Sequence, residues 1–241
     1  MLRCYLAKML NVILFTIAMV LVAFTTVVSR ATVAVAQRTP KITSIAEARA
    51  LPLGTIVTIE GSVTVPSGAF KSSFDDEGFV IQDMSSGIYV SAHTNLNLAV
   101  RQRVRVTGKL AETNAQFRIV EAEASSIEVR GRGKEVKPKA VSTGKVNEQT
   151  LGQLLKVTGT ISNPIVSIAP FGFRLPVNDG TGETVVYVST STRITQENLQ
   201  QGQRISVMGI GGQFKGQYQI FPRFPADIKL LPKTKTARGR E

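Results

Sequence analysis

The sequence predicts an all-β protein: two tandem five-stranded closed barrels behind an N-terminal signal or anchor segment. Three observations carry that reading. Beyond Pro40, apolar and polar residues alternate in short runs broken by Gly, Asn, Asp and Ser, the period-two pattern of half-buried strands. The run QRVRVTGKL at 102–110 returns as QRISVMGIG at 203–211. The other strand-like runs of the first half also recur in the second, in the same order.

The first strand, TIVTIEGSVTV at 55–65, sets Val57, Ile59 and Val63 on one face and Thr58, Glu60 and Ser62 on the other. GFVIQD (78–83), GIYVSAH (87–93), QRVRVTGKL and QFRIVEA (116–122) complete five strands. Their counterparts are LLKVTGTIS (154–162), GFRLPVND (172–179), ETVVYVST (183–190), QRISVMGIG and GQYQIFPRF (216–224). Gly61 to Gly159 and Tyr89 to Tyr187 are offsets of 98; Gly108 to Gly209 and Gln116 to Gln217 are offsets of 101. Matches in one order at near-constant offset mark a duplicated domain.

Each first strand holds an internal glycine, which suits a long strand bent around a small closed barrel. Between the third and fourth strands, NLNLAV and TRITQENLQQ have room for a loop or one helical turn. The resulting order β-β-β-α-β-β is that of the oligonucleotide/oligosaccharide-binding (OB) fold. Domains are expected at 44–130 and 148–231, with a basic linker at 131–147 and a basic disordered tail at 232–241.

The leader reads as an export segment. Arg3 and Lys8 precede a mostly apolar run of 20 residues at 9–28, and Ala34-Val35-Ala36 offers a small-residue cleavage site. Cut, it is a signal peptide; uncut, it is just long enough to anchor the chain in a bilayer. Either outcome sets the remainder outside the cytoplasm, periplasmic or secreted. The sole cysteine, Cys4, lies in this leader, so an apolar core rather than disulfides must hold the barrels.

Chemistry has little to work with. His93 is the single histidine, which removes most hydrolase triads and zinc sites. Neither G-x-S-x-G nor a Walker A loop occurs, and the consecutive acids Asp75, Asp76 and Glu77 lack the alternation of a calcium loop. The expectation is a non-enzyme with no cofactor and no metal.

Charge is the stronger guide. The formal balance is +12, and +9 once Arg3, Lys8 and Arg30 of the leader are removed. RGRGKEVKPK (130–139) and the tail KLLPKTKTARGRE (229–241) each carry five basic residues against one acid. Such a balance draws a protein to polyanions, although each run also reads as a solvated linker or tail.

The runs GTIVTIEGSVTV, GFVIQDMSSGIYV, LAVRQRVRVTGKL and QFRIVEA resemble the OB-fold nucleic-acid-binding domains of exported bacterial proteins, over 48–130 and more weakly over 150–231. The resemblance implies a tandem OB-fold protein that binds nucleic acid, single-stranded by preference, or another polyanion. The alternative partners are an envelope protein, a polysaccharide or an anionic surface, with the membrane met only through an uncleaved leader. One departure stands out. Such domains carry glycine two residues before the basic residue of strand four, as Gly202 does, but the first copy has Arg101 there, which calls for a different local backbone.

Alternation places Val104 and Val106 in the core and turns Arg103, Arg105, Thr107 and Lys109 outward. It likewise turns out Tyr89, Ser91 and His93 in the first copy and Tyr187 in the second, on the strand whose outer face binds ligand in this fold. Outward aromatics can stack bases and nearby cations can neutralise phosphates. A one-residue slip would exchange inside and outside. Candidate binding residues are therefore Tyr89, Arg101, Arg103, Arg105 and Lys109, with Phe70 and Lys71 in the loop after strand one. In the second copy they are Arg174 and Tyr187, and Phe214, Lys215, Tyr218 and Arg223 around the last hairpin, where Phe221 is expected to plug the barrel.

Overall fold

A computed structural model describes residues 41–70, 76–113 and 118–232. The leader with Cys4, the loop residues Lys71, Phe74 and Asp75, Gln116, and tail residues 233–241 lie outside the described residues.

The first barrel consists of β1 (Ile56–Val65), β2 (Phe79–Gln82), β3 (Gly87–Ser91), β4 (Gln102–Glu112) and β5 (Arg118–Glu121). Its sheet runs β1-β2-β3-β5-β4 and closes by pairing β1 with β4; β3 and β5 are parallel and the other pairs antiparallel. After β6 (Ile127–Arg132) and β7 (Lys139–Ala140), the second barrel repeats the plan. Its strands are β8 (Leu154–Ile161), β10 (Gly172–Asn178), β11 (Glu183–Ser189), β12 (Arg204–Phe214) and β13 (Gln217–Phe221), with β9 (Val166–Ile168) paired onto β10. The order β8-β10-β11-β13-β12 closes through β12 and β8, with β11 and β13 parallel. Two closed five-stranded barrels in OB order are thus what the duplicated pattern builds.

The alternating residues fill the two interiors. Val57, Ile59, Val63, Phe79, Ile81, Ile88, Val90, Val104 and Val106 form the first core, and Leu155, Val157, Leu175, Val177, Val186, Val188, Ile205 and Val207 the second. The first-strand glycines sit where expected: a Cβ on Gly61 would lie 2.9 Å from the Gln82 carbonyl oxygen, and one on Gly159 2.8 Å from that of Asn178. The bend brings strand one against strand two too closely for any side chain.

The repeat is longer than five strands. β6 pairs with β4 and β14 (Ile228–Leu230) with β12, each after a 3₁₀ turn, and Ile127 to Ile228 is again an offset of 101. Within the expected linker, Gly131 and Arg132 continue β6 of the first barrel, Lys139 and Ala140 pair with β8, and Val141 and Val146 pack on the second core.

Three further features refine the expected barrels. A short helix, α1 (Ile45–Ala50), precedes β1, started by a capping box in which Ser44 and Glu47 satisfy each other's backbone N–H groups. No α-helix fills the third-to-fourth-strand connection: residues 92–101 are loop, and the second copy has only a 3₁₀ turn at Thr190–Thr192. Glutamine side chains there satisfy the backbone locally, as in the Ala99 N–H to Gln102 Oε1 bond (2.6 Å) and its repeat from Gln200 to Gln203 (2.7 Å). Leu98 and Leu199 fold inward from these loops to pack on the two cores. Finally, Arg101 adopts φ 75, close to the φ 83 of Gly202, so the arginine takes the glycine's backbone rather than a different one.

The barrels dock directly. Val65, Val80, Tyr89 and Ile119 of the first pack with Leu154 and Ile210 of the second as a separate apolar cluster. Gly87 and Gly152 meet backbone to backbone, each lying where a Cβ on the other would clash with its carbonyl. The Leu154 N–H donates to Gln82 Oε1 (2.9 Å), and Ser191 Oγ to the Ala69 carbonyl (2.8 Å).

Candidate nucleic-acid interface

The two copies present the same strands to very different surroundings. In the first barrel, β2 and β3 pair Val80 with Tyr89, and β3 pairs Tyr89 with Ile119. This row faces the second barrel. Tyr89 is 5% exposed, and its hydroxyl donates to Asp76 Oδ1 (2.6 Å), whose other oxygen accepts from Ser91. The outward Tyr89 and Ser91 of the sequence reading are corrected: both point away from their own core, but a neighbouring barrel and a loop cover them. His93, beyond the end of β3, is exposed.

In the second barrel the same pair of strands sets Arg174 opposite Tyr187, both partly exposed, while Val185 and Gln219 beside them are buried. Tyr187 is half-buried, its ring 5.5 Å from that of Phe221; burial holds its hydroxyl above the ordinary phenol value, while the Arg174 cation pulls the other way. Phe221 also meets Phe70 at 6.2 Å. The β12–β13 hairpin turns on Lys215 (φ 49) and Gly216 (φ 79), both left-handed, as a two-residue hairpin requires. That turn presents Phe214, 41% exposed, with the Arg174 guanidinium 5.9 Å and the Lys215 ammonium 5.5 Å from its ring centre. Each such contact is worth about 0.5–1 kcal/mol at an exposed site.

Phe221 was expected inside the barrel and lies outside. Leu110 pairs with Val120 and Gly211 with Ile220, so β5 matches β13 at an offset of 100, not the 101 of β4 and β12. The second hairpin is one residue shorter, and one residue reverses the faces of a strand. Ile220 and Tyr218 consequently pack on the core while Phe221 faces out. Tyr218 is thereby removed from the outer surface.

Arg223 is also reassigned. It is 7% exposed, forks onto Asp227 (2.9 and 3.0 Å), and donates through Nη1 to the Thr64 carbonyl of the first barrel (2.7 Å). It is a bolt between barrels, not a surface cation.

Arg101, Arg103 and Lys109 face solvent, Arg105 is mostly buried, and the charge of all four is answered. Arg103 and Arg105 both pair with Glu60, Lys109 with Glu121 (3.3 Å) and Arg101 with Glu135 (3.7 Å). Among the described residues Arg174 and Lys215 have no such partner, and Arg174 Nε is buried without an acceptor. Of the sequence candidates, the structure gathers Phe70, Arg174, Tyr187, Phe214 and Lys215 on one surface and adds Phe221. Among the described residues no group of three or more His, Cys, Asp or Glu side chains is placed to hold a metal ion.

No family model matches the chain, and neither does any curated protein. Solved structures do. An OBody bound to hen egg-white lysozyme is 21% identical, covering 41% of this chain and 100% of its own at a TM-score of 0.33. A second OBody bound to the same protein is 18% identical, with coverage of 41% and 100% and a TM-score of 0.33. A murine DNA-binding protein bound with double-stranded DNA is 14% identical over 74% of this chain and 98% of its own, at a TM-score of 0.40. The fold assignment rests on the strand order and register described above.

Proposed function

We propose that this is an exported, non-catalytic protein that binds single-stranded nucleic acid on the outer face of its second barrel. One observation carries the reading: Arg174 and Lys215, without carboxylate partners among the described residues, flank the half-exposed ring of Phe214. A ring stacks a base and the cations beside it neutralise the flanking phosphates. Unpaired strands suit such a ring because their bases have open faces. The +12 formal charge of the chain favours the same ligand, and the leader pattern supports export.

The test is fluorescence anisotropy with a labelled oligothymidylate over a salt series. Binding is expected to weaken steeply with salt, and Phe214→Ala to lower affinity by roughly fivefold to a hundredfold, the worth of one base stack. Absence of binding at low ionic strength overturns the reading. Phe171 (64% exposed) and Val166 (54% exposed), beside this face, favour an envelope protein as the competing partner. Capture of one protein, insensitive to nuclease and lost on Phe171→Ser, would decide for it.

A further inference from the structure

We propose that the two barrels make one binding site rather than two: the outer face of the second barrel, completed by the loop at 66–70 of the first. The inference rests on the nucleic-acid reading above. Its ground is the contrast between equivalent positions. Val80, opposite Tyr89 in the first copy, corresponds by strand register to Arg174, opposite Tyr187 in the second. An apolar residue stands where the first face is covered, and a partly exposed cation where the second meets solvent. A duplicated pair of ligand faces has been divided into one for docking and one for binding.

The docking also lends the second face a part. Ser191 Oγ donates to the Ala69 carbonyl (2.8 Å), which sets Phe70 against Phe221, and Phe221 against Tyr187. The aromatic row therefore crosses from one barrel to the other. A single strand laid along it would touch both copies, with the Arg174 and Lys215 cations alongside.

The experiment titrates the full chain, at concentrations well above the dissociation constant, with an oligothymidylate short enough to fill one barrel face, and measures Phe70→Leu beside the wild type. Leucine keeps apolar packing and removes the ring, and thermal melting confirms that each variant folds. One oligonucleotide bound per chain, with affinity lowered roughly fivefold or more by Phe70→Leu, is the expected result. Two equivalents per chain, or Phe70→Leu binding as wild type while Phe214→Ala fails, overturns the shared site and leaves the nucleic-acid reading standing. A wild-type chain that binds nothing overturns both.

Discussion

The guanidinium of Arg223 donates to the main-chain carbonyl of Thr64, 159 residues earlier, at 2.7 Å. The bond crosses from one barrel to the other, and Asp227 holds the arginine in place from behind. Arg223→Met leaves Asp227 buried without its counter-charge. Removing one member of a buried pair costs about 3–5 kcal/mol. Chemical denaturation should show a loss in that range; a loss below about 1 kcal/mol would mean that the bond contributes little to docking.

Tyr89 is a packing residue that carries a buried hydrogen bond. Tyr89→Phe removes the hydroxyl that donates to Asp76, which is 1% exposed, and an under-satisfied buried group costs about 1–3 kcal/mol. Oligonucleotide affinity measured below the melting transition should not change. A large fall in affinity with unchanged stability would return Tyr89 to the binding surface.

Arg101 holds a left-handed backbone at φ 75 that glycine adopts freely. Its ion pair with Glu135 spans 3.7 Å between exposed groups and adds little. Relief of the strained backbone outweighs the extra freedom glycine brings to the unfolded chain, so Arg101→Gly should stabilise by about 0.5–1 kcal/mol. A melting temperature that falls instead would assign the arginine a role in packing.

Lys215 tests the charge component of the interface. Each phosphate neutralised on a single strand contributes about 0.7 to the slope of log affinity against log salt. Lys215→Ala should lower that slope by about this amount and reduce affinity at low salt. Lys109, already paired with Glu121, should leave the slope nearly unchanged when replaced. Equal effects from both would place the ligand elsewhere.

Asp179 links the segment before the second barrel to its β10–β11 turn. Hydrogen bonds from Thr181 first, then Thr143, hold its carboxyl well below the usual range. A carboxyl depressed by folding stabilises fully above its unfolded value, about 3.9, and loses that contribution as the pH falls below it. Thr181→Val weakens the network, so the variant's stability should fall less between neutral pH and strong acid. Parallel acid limbs for both proteins would remove Asp179 from the account.

Much of the fold was legible. Val57, Ile59, Val104 and Val106 alternate, and the glycines at 61 and 159 mark the bend. Two signals were present and unread. The Ser44–Glu47 spacing is a helix start, and SSIEV at 125–129 matches ADIKL at 226–230, the sixth strand of each repeat. In the last hairpin one missing residue shifts the offset from 101 to 100, which turns Phe221 outward and Tyr218 inward against the period of the rest.

Alternation and repetition, both local properties of a chain, set two barrels, their strand order and most of their cores. Which outer face meets solvent follows instead from how the barrels pack. Tyr89 and Tyr187 occupy equivalent positions on equivalent strands, and nothing in their own strands separates a covered ring from a half-buried one. Their difference arises from contacts between residues more than a hundred positions apart, where Ser191 meets Ala69 and Arg223 meets Thr64.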